Sequence, residues 1–153
     1  MTTTNEAYSL EIKRTFHAMP RQVYQAWIDP KMRLQWSVPC HEKMTCTACS
    51  IDPRIGGQYA VTMHNDENGE DYIAVGEFKE MIEDKKLVFT WSWKDRLNLA
   101  QDTLCTIELK LSEDGKQTHM VFTHVGFPDE SSHDDHMKGW NGCLSSLDYF
   151  LNK

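Results

Sequence analysis

Between Cys40 and Cys49 the chain reads Cys-His-Glu-Lys-Met-Thr-Cys-Thr-Ala-Cys, which sets three thiols and the His41 imidazole within ten residues. Thiolate and imidazole are the ligands zinc prefers, and Cys46 with Cys49 has the spacing of a redox dithiol. Either chemistry needs its sulfurs on one side of the backbone. If residues 44–51 form a strand, positions 46 and 49 differ by an odd number and face opposite sides. The expectation is buried, weakly polar thiols with no metal and no cofactor.

The histidines are the next candidates. His124 falls on the same alternating face as Met120 and Phe122, where an imidazole of ordinary pKa, about 6.5, could move a proton. His133 and His136 stand one helical turn apart and read as solvated first-turn residues. No nucleophile adjoins any of them, and the sequence holds no Gly-x-Ser-x-Gly, His-Glu-x-x-His, phosphate loop or dinucleotide fingerprint. No catalytic residue is assigned. Arg14 interrupts an apolar face, where a buried cation needs a partner. Glu77 or Asp52 could supply it, a ligand carboxylate could dock on its planar fork, or the side chain could reach water. Asp52 and Arg54 beside Gly56-Gly57 read as turn chemistry.

Aromatic and thioether side chains are the remaining signal. Met63, Phe78, Phe89, Trp91 and Trp93 lie on inward positions of successive strands, as do Met120 and Phe122, while Met137, Trp140 and Leu144 sit in the last amphipathic segment. Most of these fill a core. The rest, with Arg14 and His124, are predicted to line a space for a small apolar or amphipathic ligand, because thioethers and aromatic faces adapt to irregular apolar shapes.

The elements that must position them follow from periodicity. Tyr8, Leu10, Ile12, Arg14 and Phe16 alternate with polar residues and predict a half-buried strand. Pro20 opens a short helix carrying Val23, Trp27 and Ile28, which Asp29-Pro30 stops; Lys31 to Trp36 predicts a second. Strands follow around Tyr59 to Met63, Tyr72 to Met81, Leu87 to Trp93, Thr103 to Leu111 and Met120 to His124. Asn68-Gly69 and Asp114-Gly115 predict tight turns, the former because both residues tolerate positive φ. After Phe127-Pro128 the period lengthens: Trp140, Cys143, Leu144, Leu147 and Leu151 follow helical spacing, with Ser132 and Asp135 as a capping box. The class is α+β, a curved antiparallel β-sheet with two short helices after the first strand, and the long C-terminal α-helix covers its aromatic face. Gly139 and Gly142 each cost that helix about 1 kcal/mol relative to Ala, which calls for a packing reason: close approach to a strand, or room left for something else.

Several ordered motifs resemble one superfamily. Arg14, Phe16, Ala18, Val23, Ala26-Trp27, Asp29-Pro30, Leu34 and Trp36 resemble the opening of the START-like, or birch-pollen-allergen-like (SRPBCC), superfamily. Asp52-Pro53-Arg54-Ile55-Gly56-Gly57-Gln58-Tyr59, Leu87 to Trp91, Phe122 to Phe127 and His136 to Trp140 are similar to motifs of the branch related to the C-terminal domain of the activator of the heat-shock protein 90 ATPase. The resemblance implies a helix-grip fold with a cavity between sheet and helix. It also raises a chaperone-associated or stress-related interaction protein as an alternative function, and a cavity enzyme using a His or carboxylate as a second. In that co-chaperone a separate N-terminal domain contributes to docking, for which 153 residues leave no length. The Cys40 to Cys49 segment has no counterpart in the branch's motifs.

Composition excludes other classes. The 153 residues carry 16 Lys plus Arg against 23 Asp plus Glu, a formal charge of −7 with no basic cluster, so nucleic acid and anionic membrane are poor partners. Apolar runs are a few residues long, against the ~18 of a membrane span. Five cysteines and a start without a basic or apolar leader predict a reducing cytosol, hence a cytoplasmic protein. Residues 1–153 read as one domain with an ordered core of 8–151, a monomer or a homodimer paired through a strand edge.

Overall fold

The computed structural model describes residues 8–40 and 42–152. Strand β1 (Leu10–Phe16) leads into helices α1 (Pro20–Ile28) and α2 (Pro30–Trp36). Strands β2 (Met44–Ile51), β3 (Gln58–Asn65), β4 (Asp71–Ile82), β5 (Lys86–Trp93), β6 (Thr103–Leu111) and β7 (Thr118–Val125) follow, and helix α3 (Glu130–Leu151) comes last. All seven strands form one antiparallel sheet in the order β1-β7-β6-β5-β4-β3-β2, curled into a half-barrel with α3 on its concave side. No helix among the described residues is long and apolar enough to cross a membrane.

Asp29 ends one helix and starts the next. Its backbone closes α1 through Gln25, while its carboxylate caps α2 by accepting from the N–H groups of Lys31 and Met32. The last carbonyls of α1, which lack intrahelical donors, are satisfied by side chains of α2: Trp36 Nε1 donates to Ala26 O and Arg33 donates to Trp27 O, both at 3.0 Å. Arg33 is buried without a carboxylate partner among the described residues, lying 5.0 Å and 5.2 Å from the ring centroids of Trp27 and Trp36. This stitched corner drives Trp27 into the hollow of the sheet, where its ring meets Trp36, Phe89, Phe122 and Trp140 within 6.2 Å. The aromatic face is therefore covered by two elements, α1 as well as α3. The reason is the size of Trp27, which spans a gap a slender helix stripe leaves open.

Three local expectations are corrected. Residues 66–70 form a longer connection in which only Gly69 takes positive φ; the Asn65 side chain accepts from the backbone of Glu67 and Asn68, and the Asn65 carbonyl from Gly69. The cap of α3 is Asp129, which accepts from Ser132 N, so Ser132 lies inside the helix. Finally, β2 carries a bulge between Cys46 and Ala48: Cys46 pairs with Met63 and Cys49 with Val61, both inward residues of β3. The extra residue, Thr47, resets the alternation and brings both cysteines to the concave side.

The two helix glycines have different reasons. A Cβ at Gly142 would stand 2.0 Å from the backbone oxygen of Pro39, so α3 touches the α2–β2 connection there; at Gly139 the nearest atom is the Pro39 ring at 4.0 Å. The Ser146 hydroxyl extends the same contact to Val38 O. Gly142→Ala is expected to lower unfolding free energy by about 1–3 kcal/mol through overpacking. Gly139→Ala is expected to leave it unchanged or raise it by up to about 1 kcal/mol from helix propensity. Urea denaturation of the two variants reads the contrast.

Candidate functional site

Between the sheet and the first half of α3 lies a cavity of about 430 Å³. Its depth is built by Trp91 from β5, Met63 from β3, and Trp140 and Cys143 from α3, all buried. Met44, Tyr72 and Trp93 complete the walls, and the exposed Asn98, Asp129, Ser131 and Asp135 form the mouth. The space exists because the Trp27 plug fills only the other end of the hollow, and because Gly139, a wall residue, projects nothing into it.

A chain of hydrogen bonds fixes the back of the cavity. Trp140 Nε1 donates to His124 Nδ1 at 3.0 Å, and an indole can only donate, so Nδ1 is an acceptor. His124 Nε2 carries the proton and donates to Thr103 Oγ1 at 2.7 Å, whose own hydrogen goes to Trp91 O. His136 is held in the opposite tautomer: Trp93 Nε1 donates to its Nε2 at 3.0 Å, and its Nδ1 donates to Ser132 O at 2.8 Å. Both rings are neutral and have both nitrogens occupied. Burial pushes the pKa of His124 well below the imidazole range, with His136 adding to the fall. Burial also lowers that of His136, against the Ser132 carbonyl and Asp135. A histidine so engaged has no free lone pair for a substrate proton, so neither ring is set up as a general base. Trp91 Nε1, by contrast, is buried with no partner among the described residues.

Of the twelve residues predicted to line the space, Met63, Trp91, Trp93 and Trp140 are on its wall. Phe78, Phe89, Met120, Phe122 and Leu144 are packed in the core, where Trp27 lies against Phe89 and Phe122 and Tyr59 against Phe78 and Phe89. His124 is one layer behind the wall, and Met137 is half-buried against the core. Among the described residues Arg14 meets no carboxylate: it donates to Asn141 Oδ1, Asn141 O and Ser145 Oγ, which ties β1 to α3. Asp52 instead pairs with Arg54, and Glu77 with Lys79. His133 bonds Asp134, while His136 is half-buried rather than solvated.

Cys46, Cys49, Cys105 and Cys143 are thiols in apolar surroundings. Burial pushes Cys46 up to about 11 and Cys143 to about 12, with Arg33 opposing in both cases. At pH 7 only about one Cys46 in ten thousand is thiolate, too few for a reactive dithiol. Among the described residues no three His, Cys, Asp or Glu side chains gather as a metal site. His41 lies outside the described residues.

Sequence reasoning missed Met44, Tyr72, His136 and the mouth. His136 had a usable signal: it stands four residues before Trp140 and seven before Cys143, so the wall stripe of α3 extends back to it.

A family model described as Activator of Hsp90 ATPase homolog 1-like protein matches residues 17–152. Among solved structures, protein CV1439 from Chromobacterium violaceum is 24% identical with a TM-score of 0.85, the match covering 96% of this chain and 99% of that one. The AHSA1 protein from Silicibacter pomeroyi is 22% identical with a TM-score of 0.80, over 94% and 97% of the two chains. The AHSA1-like protein from Aeromonas hydrophila is 17% identical with a TM-score of 0.74, over 94% and 92%. At these identities the structures share the fold. No curated protein matches the chain.

The two neutral histidines make stability depend on pH. Below about 6.5 the unfolded chain takes up protons that the native rings refuse, so stability is full above that value and is lost as pH falls toward the lowered native pKa values. The expected slope is up to about 2.7 kcal/mol per pH unit, two protons at about 1.4 each. Urea unfolding at pH 7.5, 6.5 and 5.5 measures it, and imidazole nitrogen NMR shifts should show His124 still neutral at pH 5.5.

Proposed function

Because the chain belongs to the Activator of Hsp90 ATPase homolog 1-like family and its core stops short of filling the sheet, we propose that it binds a small apolar or amphipathic molecule between the sheet and α3, without covalent catalysis. One observation carries this reading: aromatic and thioether side chains surround about 430 Å³ of space behind a polar mouth. That size and lining suit a small-molecule site. A soluble core that could be packed solid ordinarily is, since voids forfeit dispersion contacts.

The disposition of His124 and His136 argues against acid–base turnover in the same space, because each ring already spends both nitrogens within the protein. For a chaperone-docking role the support is the family description. Among the described residues, the large apolar side chains most exposed to solvent are Ile55 in the β2–β3 connection, Leu97 in the β5–β6 connection and Tyr149 on α3, a dispersed set that favours the cavity over an exposed apolar face.

Gly139 offers a test that spares the fold. Nile red, a neutral dye, is expected to bind the native protein with a blue-shifted emission and to quench tryptophan fluorescence. Gly139→Leu, whose side chain projects into the space, is expected to weaken binding by at least about tenfold while shifting the unfolding midpoint little. Unchanged dye affinity in a folded variant would place the binding elsewhere. Native mass spectrometry of fresh protein, expected to show a co-purifying small molecule lost on denaturation, gives an independent check.

A further inference from the structure

The charge distribution around the cavity points to the class of ligand. Among the described residues, the formal charges on its lining are the carboxylates of Asp129 and Asp135, and no Lys or Arg contributes to it. His136 adds none, because Trp93 donates into its free nitrogen. Arg96, the cation placed over the outer wall, has its guanidinium 3.9 Å above the Tyr72 ring and bonded to Glu70, so its charge is met there. The start of α3 would attract an anion through its dipole. Asp129 at the cap and Glu130 in the first turn oppose that, with Asp134 and Asp135 one turn further. The whole chain adds a charge of −7. Inside, the walls carry the indole rings of Trp91, Trp93 and Trp140, whose π-electrons stabilise a positive charge over a ring face and repel a negative one.

Resting on the cavity-binding reading, we propose that the site selects hydrophobic ammonium compounds. The apolar body packs against Trp91, Trp93, Trp140 and Met63, and the amine stays at the mouth beside Asp135. A carboxylate of the same shape meets two like charges and electron-rich rings, with no cation to receive it. The neutral alcohol of that shape gains the apolar contacts alone.

Isothermal titration with three isosteres separates these cases: 1-naphthylmethylammonium, 1-naphthalenemethanol and 1-naphthoate. The expected order is ammonium tighter than alcohol by about tenfold, from cation–π and rim attraction together, with the carboxylate weakest. Raising salt should erode the ammonium's advantage and leave the alcohol unaffected. Asp135→Asn is expected to cut that advantage, read as the ratio of ammonium to alcohol affinity in the same variant, to about twofold or less. An alcohol that binds as tightly as the amine, a carboxylate that binds better, or an advantage undiminished in Asp135→Asn overturns the selectivity and leaves the cavity reading intact. If none of the three binds, the cavity reading itself falls and the selectivity with it.

Discussion

The structure depends on how α3 is held off the sheet. Two contacts set that distance. At one, the Trp140 indole must find an acceptor in an apolar interior, and His124 supplies it through a ring that is in turn braced by Thr103 and the Trp91 carbonyl. At the other, Gly142 lets the helix backbone press on Pro39. A buried donor left without an acceptor costs about 1–3 kcal/mol, so the first contact is as binding as a steric one. Between these fixed points the helix cannot settle deeper into the hollow, and the space beside Trp91 stays open.

The same economy of polar groups shapes the opposite end. Trp27 closes the hollow because α2 satisfies the last carbonyls of α1, and Arg33 tolerates burial by donating to the Trp27 carbonyl and to Ser37 Oγ while its plane rests on two indoles. One end of the grip is plugged with aromatic rings and the other is walled with them. The cavity follows from that difference in filling, since both ends use the same kinds of residue.

Much of this was legible in the sequence, and the rest was not for identifiable reasons. Alternation in Leu87 to Trp93 and in Thr103 to Leu109 marks faces that the sheet buries, and the stripe from Trp140 to Leu147 marks the face of α3. These signals report burial, and they read Phe89 and Trp91 alike although one is core and the other cavity wall. Which of them borders open space depends on the Trp27 side chain, sixty residues away and on another element. The cap of α3 was misplaced because Asp129 and Ser132 are both good cap residues, and only the backbone after Pro128 decides between them. The bulge in β2 left no mark in the residue types at all.

That bulge determines which side of β2 faces the hollow of the sheet. With Thr47 set aside from the pairing, Met44 and Cys46 face inward opposite Asn65 and Met63. Were Thr47 instead paired in regular alternation with the downstream half of the strand, Thr45 and Thr47 would take those places. Two hydroxyls would then replace a thioether and a thiol. A single residue gained or lost ahead of Ala48 thus acts as a parity switch on which β2 side chains face the concave side, so strand register alone can change that face while every wall on the other elements stays the same.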